Sequence, residues 1–433
     1  MKDCRRIPVT TGDMMHVHGA FGEKVDYTVR LTVRLTDEID GDLLMKALEK
    51  TQLRYPYFSR ELRAAEDGFY YAENDRPISL LHTDERVSLC GKETNFQPWA
   101  VAYFEDRIHL DFFHGITDGT GMYQVLATLL GYYCKARYGT EIDPGIPMLE
   151  TPISEAETLD PQDTIEVPES KLPPAAAFQP AFTLETDGGL TPSGPTIWDL
   201  EIPEATLIRY SSANDASPGT LISLLMAHAI ADLYPERSKD IISAYVINAR
   251  PMLGAELTHH NCLGMALLNY DSRVEAMPFD RQCTVYRGKT FIQSDADRVR
   301  RDTAMNAVQI RAAAESLKTL EEKKQAFGQA FSGGEGFVSF LVSYTGKWKH
   351  PNVGGYVREF WTHPPNTFSL MVEIAAVNGK IFLSVQQRFL EDTVRESFLR
   401  QLEKRGIPYA VKREMPSDIA RIQEPIIAPD EME

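Results

Sequence analysis

Two side chains spaced four residues apart, His114 and Asp118, are the ones best suited to chemistry in this sequence. They lie in the stretch HLDFFHGITDGTGMYQVL, between an apolar run and a glycine-rich turn. With an ordinary pKa of about 6.5, a histidine is mostly neutral at neutral pH and can take a proton from a hydroxyl or an amine. We therefore ask whether His114 is a general base.

The run IHLDFFH before the turn has the composition of a strand, which fixes the direction of each side chain. Alternate residues share a face, so Ile108, Leu110, Phe112 and His114 point one way and Phe113 points the other way. His114 thus ends an apolar face, near a loop of the kind that builds sites. The structural alternative is a strand-end histidine bonded to a backbone carbonyl.

Asp118 has a strong structural explanation. It directly precedes GTGMYQVLATLLGYYCKARYG, whose apolar stripe predicts a helix that ends at Gly139. An aspartate at that position is well placed as the N-cap, where it accepts backbone N–H groups. Spacing alone does not decide between this role and a catalytic one.

The surrounding elements predict a mixed α and β lobe. Residues 27–35 alternate between apolar and polar, as in a half-buried strand with one face in water, and a helix follows that ends at Pro56. Residues 99–114 read as two strands joined by EDR, a hairpin. The second half continues with a helix at 219–234, a buried strand at 241–247, a hairpin around Asn378-Gly379 and a helix that stops at Gly406.

The length of 433 residues exceeds what one core organises, and predicts two lobes of roughly 200 residues each. We assign residues 1–150 to an N-terminal lobe that carries the histidine motif. Residues 151–195, rich in Pro, Gly and acids, form a connecting segment, and residues 196–433 form a C-terminal lobe.

Composition excludes several functions. The formal net charge is -17, which repels nucleic acid and anionic membrane surfaces. The five cysteines lack a C-x-x-C pair and predict reduced, buried thiols. The start MKDCRRIPVTTGD has no apolar signal core and no run is long enough for a membrane span, so we expect a cytoplasmic protein. HVH and THHNC contain metal-capable residues without the paired spacing of a zinc site, so we expect no metal.

Several segments resemble the CoA-dependent acyltransferase superfamily, which includes chloramphenicol acetyltransferase, condensation domains and alcohol acetyltransferase-like proteins. FHGITDG is similar to its H-x-x-x-D-G core, with Phe113 where condensation domains usually have a first histidine. VSYTGKW resembles the late S-N-x-G strand end, with Tyr344 where asparagine is common. YVINARPMLGAELTHHNCLGM resembles the second-lobe N-x-R segment; the matching residues there are Asn248, Arg250, Asn261 and Gly264. The likeness covers nearly the whole chain in order.

This resemblance implies an α/β protein of the α+β sandwich type. Its two chloramphenicol-acetyltransferase-like lobes would each have a mixed sheet with helices, and the active-site channel would lie between them. His114 would be the general base for direct attack of an alcohol or amine acceptor on acyl-CoA, without a covalent acyl-enzyme. Asp118 would be structural and paired with Arg250, and Gly119 would let the backbone approach the substrate and assist the oxyanion.

Partners follow from the same resemblance. Acyl-CoA would be a co-substrate and no cofactor would be bound permanently. Lys347 and Lys349 could meet the CoA phosphates, although a basic pair on a loop is usually just solvated. One alternative is a condensation-type protein that uses thioesters bound to an acyl carrier protein, which the negative charge disfavours. Another is a catalytically degenerate member that binds an acyl ligand or acts as a scaffold.

Overall fold

The computed structural model describes residues 6–23, 27–169, 179–363, 365, 367–416 and 426–427. Alternating apolar and polar side chains produce strands in both halves of the chain. The strands are β1 (Ile7–Pro8), β2 (Thr28–Leu35), β3 (Arg60–Ala65), β4 (Gly68–Glu73), β5 (Leu80–His82), β6 (Trp99–Phe104), β7 (Arg107–Phe113), β8 (Pro192–Pro203), β9 (Ile241–Asn248), β10 (Leu263–Tyr270), β11 (Phe340–Lys347), β12 (Val357–His363), β13 (Leu370–Val377), β14 (Lys380–Phe389), β15 (Ala410–Pro416) and β16 (Ile426–Ile427).

Apolar residues at helical spacing form the helices that cover these strands. The helices are α1 (Thr11–Glu23), α2 (Gly41–Arg54), α3 (Gly119–Tyr138), α4 (Glu204–Ala213), α5 (Pro218–Leu233), α6 (Arg250–Leu253), α7 (Ser272–Glu275), α8 (Phe279–Gln293), α9 (Ala296–Ser316), α10 (Leu320–Gly333), α11 (Pro351–Gly354) and α12 (Thr393–Lys404).

The strands of the described chain pair into three sheets. A five-stranded sheet has the order β12-β2-β7-β6-β5, and a four-stranded sheet has the order β1-β4-β3-β16. A seven-stranded mixed sheet has the order β10-β9-β11-β13-β14-β8-β15. Helices α2 and α3 pack on the first sheet, while α5 and α12 pack on the third. The protein is thus a mixed α/β structure with two cores, as predicted.

Local signals in the sequence located these elements well. The hairpin predicted at 99–114 is β6 and β7, with Glu105 at a φ of 51° in the turn. The Asn378-Gly379 turn joins β13 to β14, and both residues have a positive φ, 48° and 76°, as a tight hairpin of this kind requires. Gly139 ends α3 with a φ of 69°.

The predicted water-facing side of the 27–35 strand was wrong. Arg30 and Thr32 of β2 are 4% and 3% exposed. Arg30 is held by a buried ion pair with Asp111, in which Nε lies 2.8 Å from Oδ1 and Nη2 lies 2.7 Å from Oδ2. It also donates to the carbonyl of Asp84, 2.6 Å away. Because polar partners satisfy this face, it is buried without being apolar.

The lobe boundaries drawn from the sequence remain a prediction, and the sheets cross them. Strand β12, from the C-terminal half, pairs antiparallel with β2 and completes the N-terminal sheet, with Trp361 opposite Thr32. Helix α10 packs against α1 at the other end of the chain. Residues far apart in sequence therefore build each core together.

The cysteines of the described chain, Cys90, Cys134, Cys262 and Cys283, are buried and free, and Cys4 lies outside the described residues. In the same part of the chain, no single helix combines the length and apolar composition needed to cross a membrane. Helices α4 and α5 meet that standard only when taken together, and they are bent by 79° where they meet.

Candidate active site

His114 immediately follows β7, at the place where the two halves of the chain meet. Its backbone N–H donates to the carbonyl of Tyr27, 2.9 Å away, which extends the β2–β7 ladder by one bond. Its carbonyl accepts the side-chain amide of Asn261, also at 2.9 Å. Asn261 belongs to the C-terminal half, so both halves fix the backbone of this histidine.

The imidazole of His114 is kept neutral by its surroundings. Burial lowers its pKa below the ordinary range, and the nearby carboxylate of Asp118 only partly opposes this effect. Nδ1 is buried and makes no hydrogen bond of good geometry with the described residues, although the His114 carbonyl and the Asn261 side chain also act to raise the pKa. The residue as a whole is only half-buried.

Phe113 points away from His114, as strand alternation predicts. Its side chain is completely buried and packs edge-on against Phe21 and Tyr27, at ring-centroid distances of 5.9 Å and 6.4 Å. An apolar ring at this position therefore serves the core of the N-terminal lobe.

A second histidine, His16 of α1, lies beside His114, and our sequence reasoning missed it. The two imidazoles are nearly parallel, with centroids 5.5 Å apart and planes at 10°. Tyr27 stacks on His114 at 4.9 Å, and its hydroxyl lies 2.7 Å from His16 Nδ1. Burial, and to a lesser degree His114, lowers the pKa of His16 to about 4. The HVH stretch was visible in the sequence, but its position beside His114 depends on tertiary packing.

Asp118 and Arg250 form a bidentate ion pair. Nη1 lies 2.9 Å from Oδ2 and Nη2 lies 2.8 Å from Oδ1, with both side chains at most 2% exposed. Asp118 also caps α3 by accepting the N–H of Gly121 at 3.0 Å. Burial raises the pKa of this carboxyl, but the charge and hydrogen bonds of Arg250 outweigh burial and hold the pKa below its usual value.

The segment THHNC (residues 258–262), in the second half of the chain, contacts the histidine motif and its partner Arg250. Arg250 donates to the carbonyls of Thr258 and His260, at 2.8 Å and 2.9 Å. The N–H of Cys262 donates to Asp118 at 3.0 Å, completing the carboxylate's set of partners. These residues hold the motif in place through hydrogen bonds.

Asp13 of α1 also forms hydrogen bonds with this segment. Its carboxylate lies 2.7 Å from Nδ1 of His260 and accepts the side-chain amide of Asn261 at 2.8 Å. Burial lowers the pKa of His260, but the Asp13 charge outweighs it, so that the pKa lies above its usual value. No local pattern in the sequence points to Asp13, because its partners lie about 250 residues away.

Gly121 and Gly119 of the motif differ in whether the surrounding protein requires a glycine. A Cβ at Gly121 would lie 2.2 Å from the Thr117 hydroxyl, so close packing requires glycine there. At Gly119 a Cβ would meet no protein atom within 4 Å, and the backbone is not in the left-handed region. The protein itself therefore does not require glycine at 119, which leaves open space at the start of α3.

The two lysines that could meet the CoA phosphates bond residues outside the histidine motif. Lys347 ends β11 and pairs with Glu204 at 2.9 Å, with 59% of its side chain exposed. Lys349 is exposed, and its backbone N–H donates to the Tyr123 hydroxyl at 3.0 Å. Among the described contacts, neither lysine touches His114, Asp118 or Arg250.

A small cavity adjoins the motif on the side of β3. Its lining includes Ile116 of the motif, Arg60, and both His259 and His260, and its volume of about 10 Å³ matches a single water molecule. Arg60 stacks over the ring of Tyr71, 5.6 Å from its centroid. At this place the two halves of the chain thus leave room for about one water molecule between Ile116 and the His259–His260 segment.

Comparison with known structures defines the class of fold. No protein family and no curated protein matches the sequence. The fold, however, is that of the two-lobed CoA-dependent acyltransferases and condensation domains, over more than 90% of the chain.

Three solved structures illustrate the similarity. The first condensation domain of the CDA synthetase shares 15% identity at a TM-score of 0.61, covering 96% of this chain and 98% of its own. TRI101 of F. sporotrichioides, complexed with coenzyme A and T-2, shares 12% identity at a TM-score of 0.60, with 94% and 99% covered. Polyketide synthase associated protein 5 of Mycobacterium tuberculosis shares 13% identity at 0.59, with 92% and 96% covered. At such identities the likeness establishes the fold and not the reaction.

Proposed function

We propose that this protein transfers an acyl group from acyl-CoA to an alcohol or amine acceptor, with His114 as the general base. The observation that carries the proposal is a neutral imidazole on a half-buried residue at the junction of both lobes, whose backbone both halves of the chain hold. Similar structures were solved with coenzyme A bound, which supports a CoA thioester as the donor.

The proton moves to and from one imidazole. Nε2 of His114 takes the proton of the acceptor as the acceptor oxygen or nitrogen bonds to the thioester carbonyl carbon. The oxyanion that forms then collapses, the carbon–sulfur bond breaks, and the imidazolium returns its proton to the CoA thiolate. The products are the acylated acceptor and free CoA, so no acyl-enzyme is required.

Other residues would position the reactants. The open space at Gly119 would admit the substrate close to the backbone, where the N–H at the start of α3 can favour the oxyanion. Asp118 and Arg250 would act only on the position of the motif, since they fully engage each other. Lys347 and Lys349 remain our candidates for the CoA phosphates.

The first prediction concerns His114 directly. We expect His114→Ala to lower kcat/KM about a hundredfold to ten-thousandfold, the usual range for a general base. The measurement is thiol release from acetyl-CoA and longer acyl-CoAs with a panel of alcohols and amines. His228→Gln is the control, because His228 bonds Gln282 in the C-terminal lobe, and it should match the wild type. Equal turnover by wild type and His114→Ala would contradict the role of His114 as the general base.

A carrier-bound donor is the alternative that the fold supports, because condensation domains share it. Acyl transfer from an acyl carrier protein, with none from free acyl-CoA, would establish this alternative. The net charge of -17 favours CoA over an acidic carrier, because like charges slow association.

A further inference from the structure

One face of the seven-stranded sheet is turned toward the N-terminal lobe. In β13, alternation places Leu370, Val372 and Ile374 in the C-terminal core. The opposite face carries Glu373 and Ala375, and Ala375 packs in the N-terminal core. Glu373 therefore lies on the face between the lobes.

Two rows of side chains on this face lead inward from the sheet edge. We call them the inter-lobe face: the first row is Leu267, Ala244, Leu341 and Met371, which pair across the sheet, and the second is the next residue on the same face of each strand, Met265, Val246, Ser343 and Glu373. Exposure falls along the second row from 59% at Met265 to 8% at Glu373, with Val246 and Ser343 half-buried between them. In the first row, Ala244, Leu341 and Met371 are buried and pack with Val338 and Phe368. The inter-lobe face is thus open only at its edge, and the second row leads from there to a buried carboxyl.

Glu373 differs from the other buried carboxyls of the described chain. Asp111, Asp118 and Glu157 have arginine partners, and Asp13 and Asp199 have histidines. The remaining buried acids accept backbone N–H groups or bond Lys, Arg or Trp. Glu373 has no such partner among the described residues, and apart from burial only the Ser343 hydroxyl shifts its pKa.

The ionisation of Glu373 reflects this isolation. Burial raises its pKa to about 8, and Ser343 opposes the shift only in part. Its neighbour across β14 is Ser384, whose hydroxyl is bonded to Asp199. Asp199 in turn bonds His363, at 3.1 Å, so these ionisable groups further along the row are paired with each other. A ligand with a cationic group would supply the charged partner that Glu373 lacks among the described residues.

The inter-lobe face begins where the candidate active site ends. Strand β9 ends at Asn248 and β10 begins at Leu263, and Asn261, which bonds the His114 carbonyl, lies two residues before β10. Glu373 lies three strands from β10, or about 14 Å across the sheet. An acceptor that lies along the inter-lobe face from β10 to Glu373 would therefore span about 14 Å.

We propose that the inter-lobe face binds the acceptor and that Glu373 selects acceptors carrying an amino group at the far end of an apolar chain. This assignment rests on the proposed acyl transfer. When the ammonium group binds, Glu373 gives up its proton to solvent and the carboxylate pairs with the cation, so charge and protons balance.

The test uses two probes, dodecan-1-ol and its ω-amino derivative, which differ only in the terminal group. Titration calorimetry with the full chain at pH 7, in two buffers of different ionisation enthalpy, measures affinity and proton release. For the wild type we expect the amino alcohol to bind at least about tenfold more tightly than the alcohol, with release of most of a proton. That preference should grow as the pH rises toward 8.

Glu373→Gln should bind both probes with equal affinity and release no proton. Glu359→Gln is the control, because Glu359 is also a buried strand carboxyl but bonds Trp361 and Arg34. It should keep the preference of the wild type.

An unchanged preference in Glu373→Gln, or no binding of either probe, would overturn the proposal. The measurement needs no turnover. A preference that depends on Glu373 in a protein that turns over no thioester would therefore count against acyl transfer and leave this binding site standing.

Discussion

The catalytic proposal depends, at the scale of single residues, on which imidazole changes charge. His114 and His16 lie with near-parallel rings, and two carboxylates, Asp118 and Asp13, act on both. Burial is nevertheless the largest influence on each, and lowers both pKa values. Each ring is thus neutral at neutral pH.

We expect kcat/KM to be flat near neutral pH and to fall only below pH 6.5. His114 can act as a base only when its imidazole is neutral. Because the pKa of His114 is lowered, the imidazole becomes protonated only below the ordinary histidine value of 6.5. A pH profile of thiol release measures this directly. His16→Phe keeps an aromatic ring beside His114 but cannot titrate, so the same acid limb should persist in that variant. Loss of the limb would assign it to His16.

At the same scale, sequence predicted the motif but not its neighbours. His114, Asp118 and Arg250 carry type and spacing that match a known pattern, and the structure brings Asp118 and Arg250 together. His16 and Asp13 belong to no such pattern, and they reach the site only because α1 packs there. Glu373 is the single charged residue of an otherwise apolar strand, and nothing in the sequence shows that it lacks a charged partner.

At the scale of elements, β7 shows why strand alternation matters. It directs Phe113 into the core and leaves His114 at the site. We expect Phe113→His, which restores the common double histidine, to lower the free energy of unfolding by about 1–3 kcal/mol, because the new imidazole would be buried without a partner. Urea unfolding measures the loss, and Phe113→Leu should lose less than Phe113→His. Higher turnover in Phe113→His with unchanged stability would contradict this account.

Elements with strong local signals were predicted and those set by distant partners were not. The Asn378-Gly379 turn and the helix end at Gly139 can be recognised from their residue types alone. The face of β2 that carries Arg30 looked solvent-exposed because arginine usually is, and only the buried partner Asp111 reverses that expectation. Strand pairing such as that of β12 with β2 has no local signature.

At the scale of the whole molecule, the Asp118–Arg250 pair joins the halves of the chain. We expect Arg250→Met to lower the free energy of unfolding by about 3–5 kcal/mol at pH 7, because it leaves a buried carboxylate without its cation. Arg34→Met is the control: Arg34 is 35% exposed in its pair with Asp106, and its loss should cost about 1 kcal/mol or less.

The loss of stability in Arg250→Met should depend on pH in a definite direction. In the wild type the lowered pKa of Asp118 gives stability that is present above its unfolded value and is lost as the pH falls through the folded one. Without Arg250 that pKa rises, so the deficit of the variant should shrink between pH 7 and pH 5. Urea unfolding at both values measures it, and a deficit that is equal at the two would argue against an unpaired carboxylate as the cause.

The pairing of β12 with β2 also determines when the first sheet can be finished. During synthesis, β2 emerges early, but the strand that covers its free edge ends only at residue 363. Until then the ribosome carries a lobe with an unpaired edge strand, a surface that invites wrong pairing with other chains. The order of translation therefore makes chaperone protection of nascent chains most valuable in the interval before β12 appears.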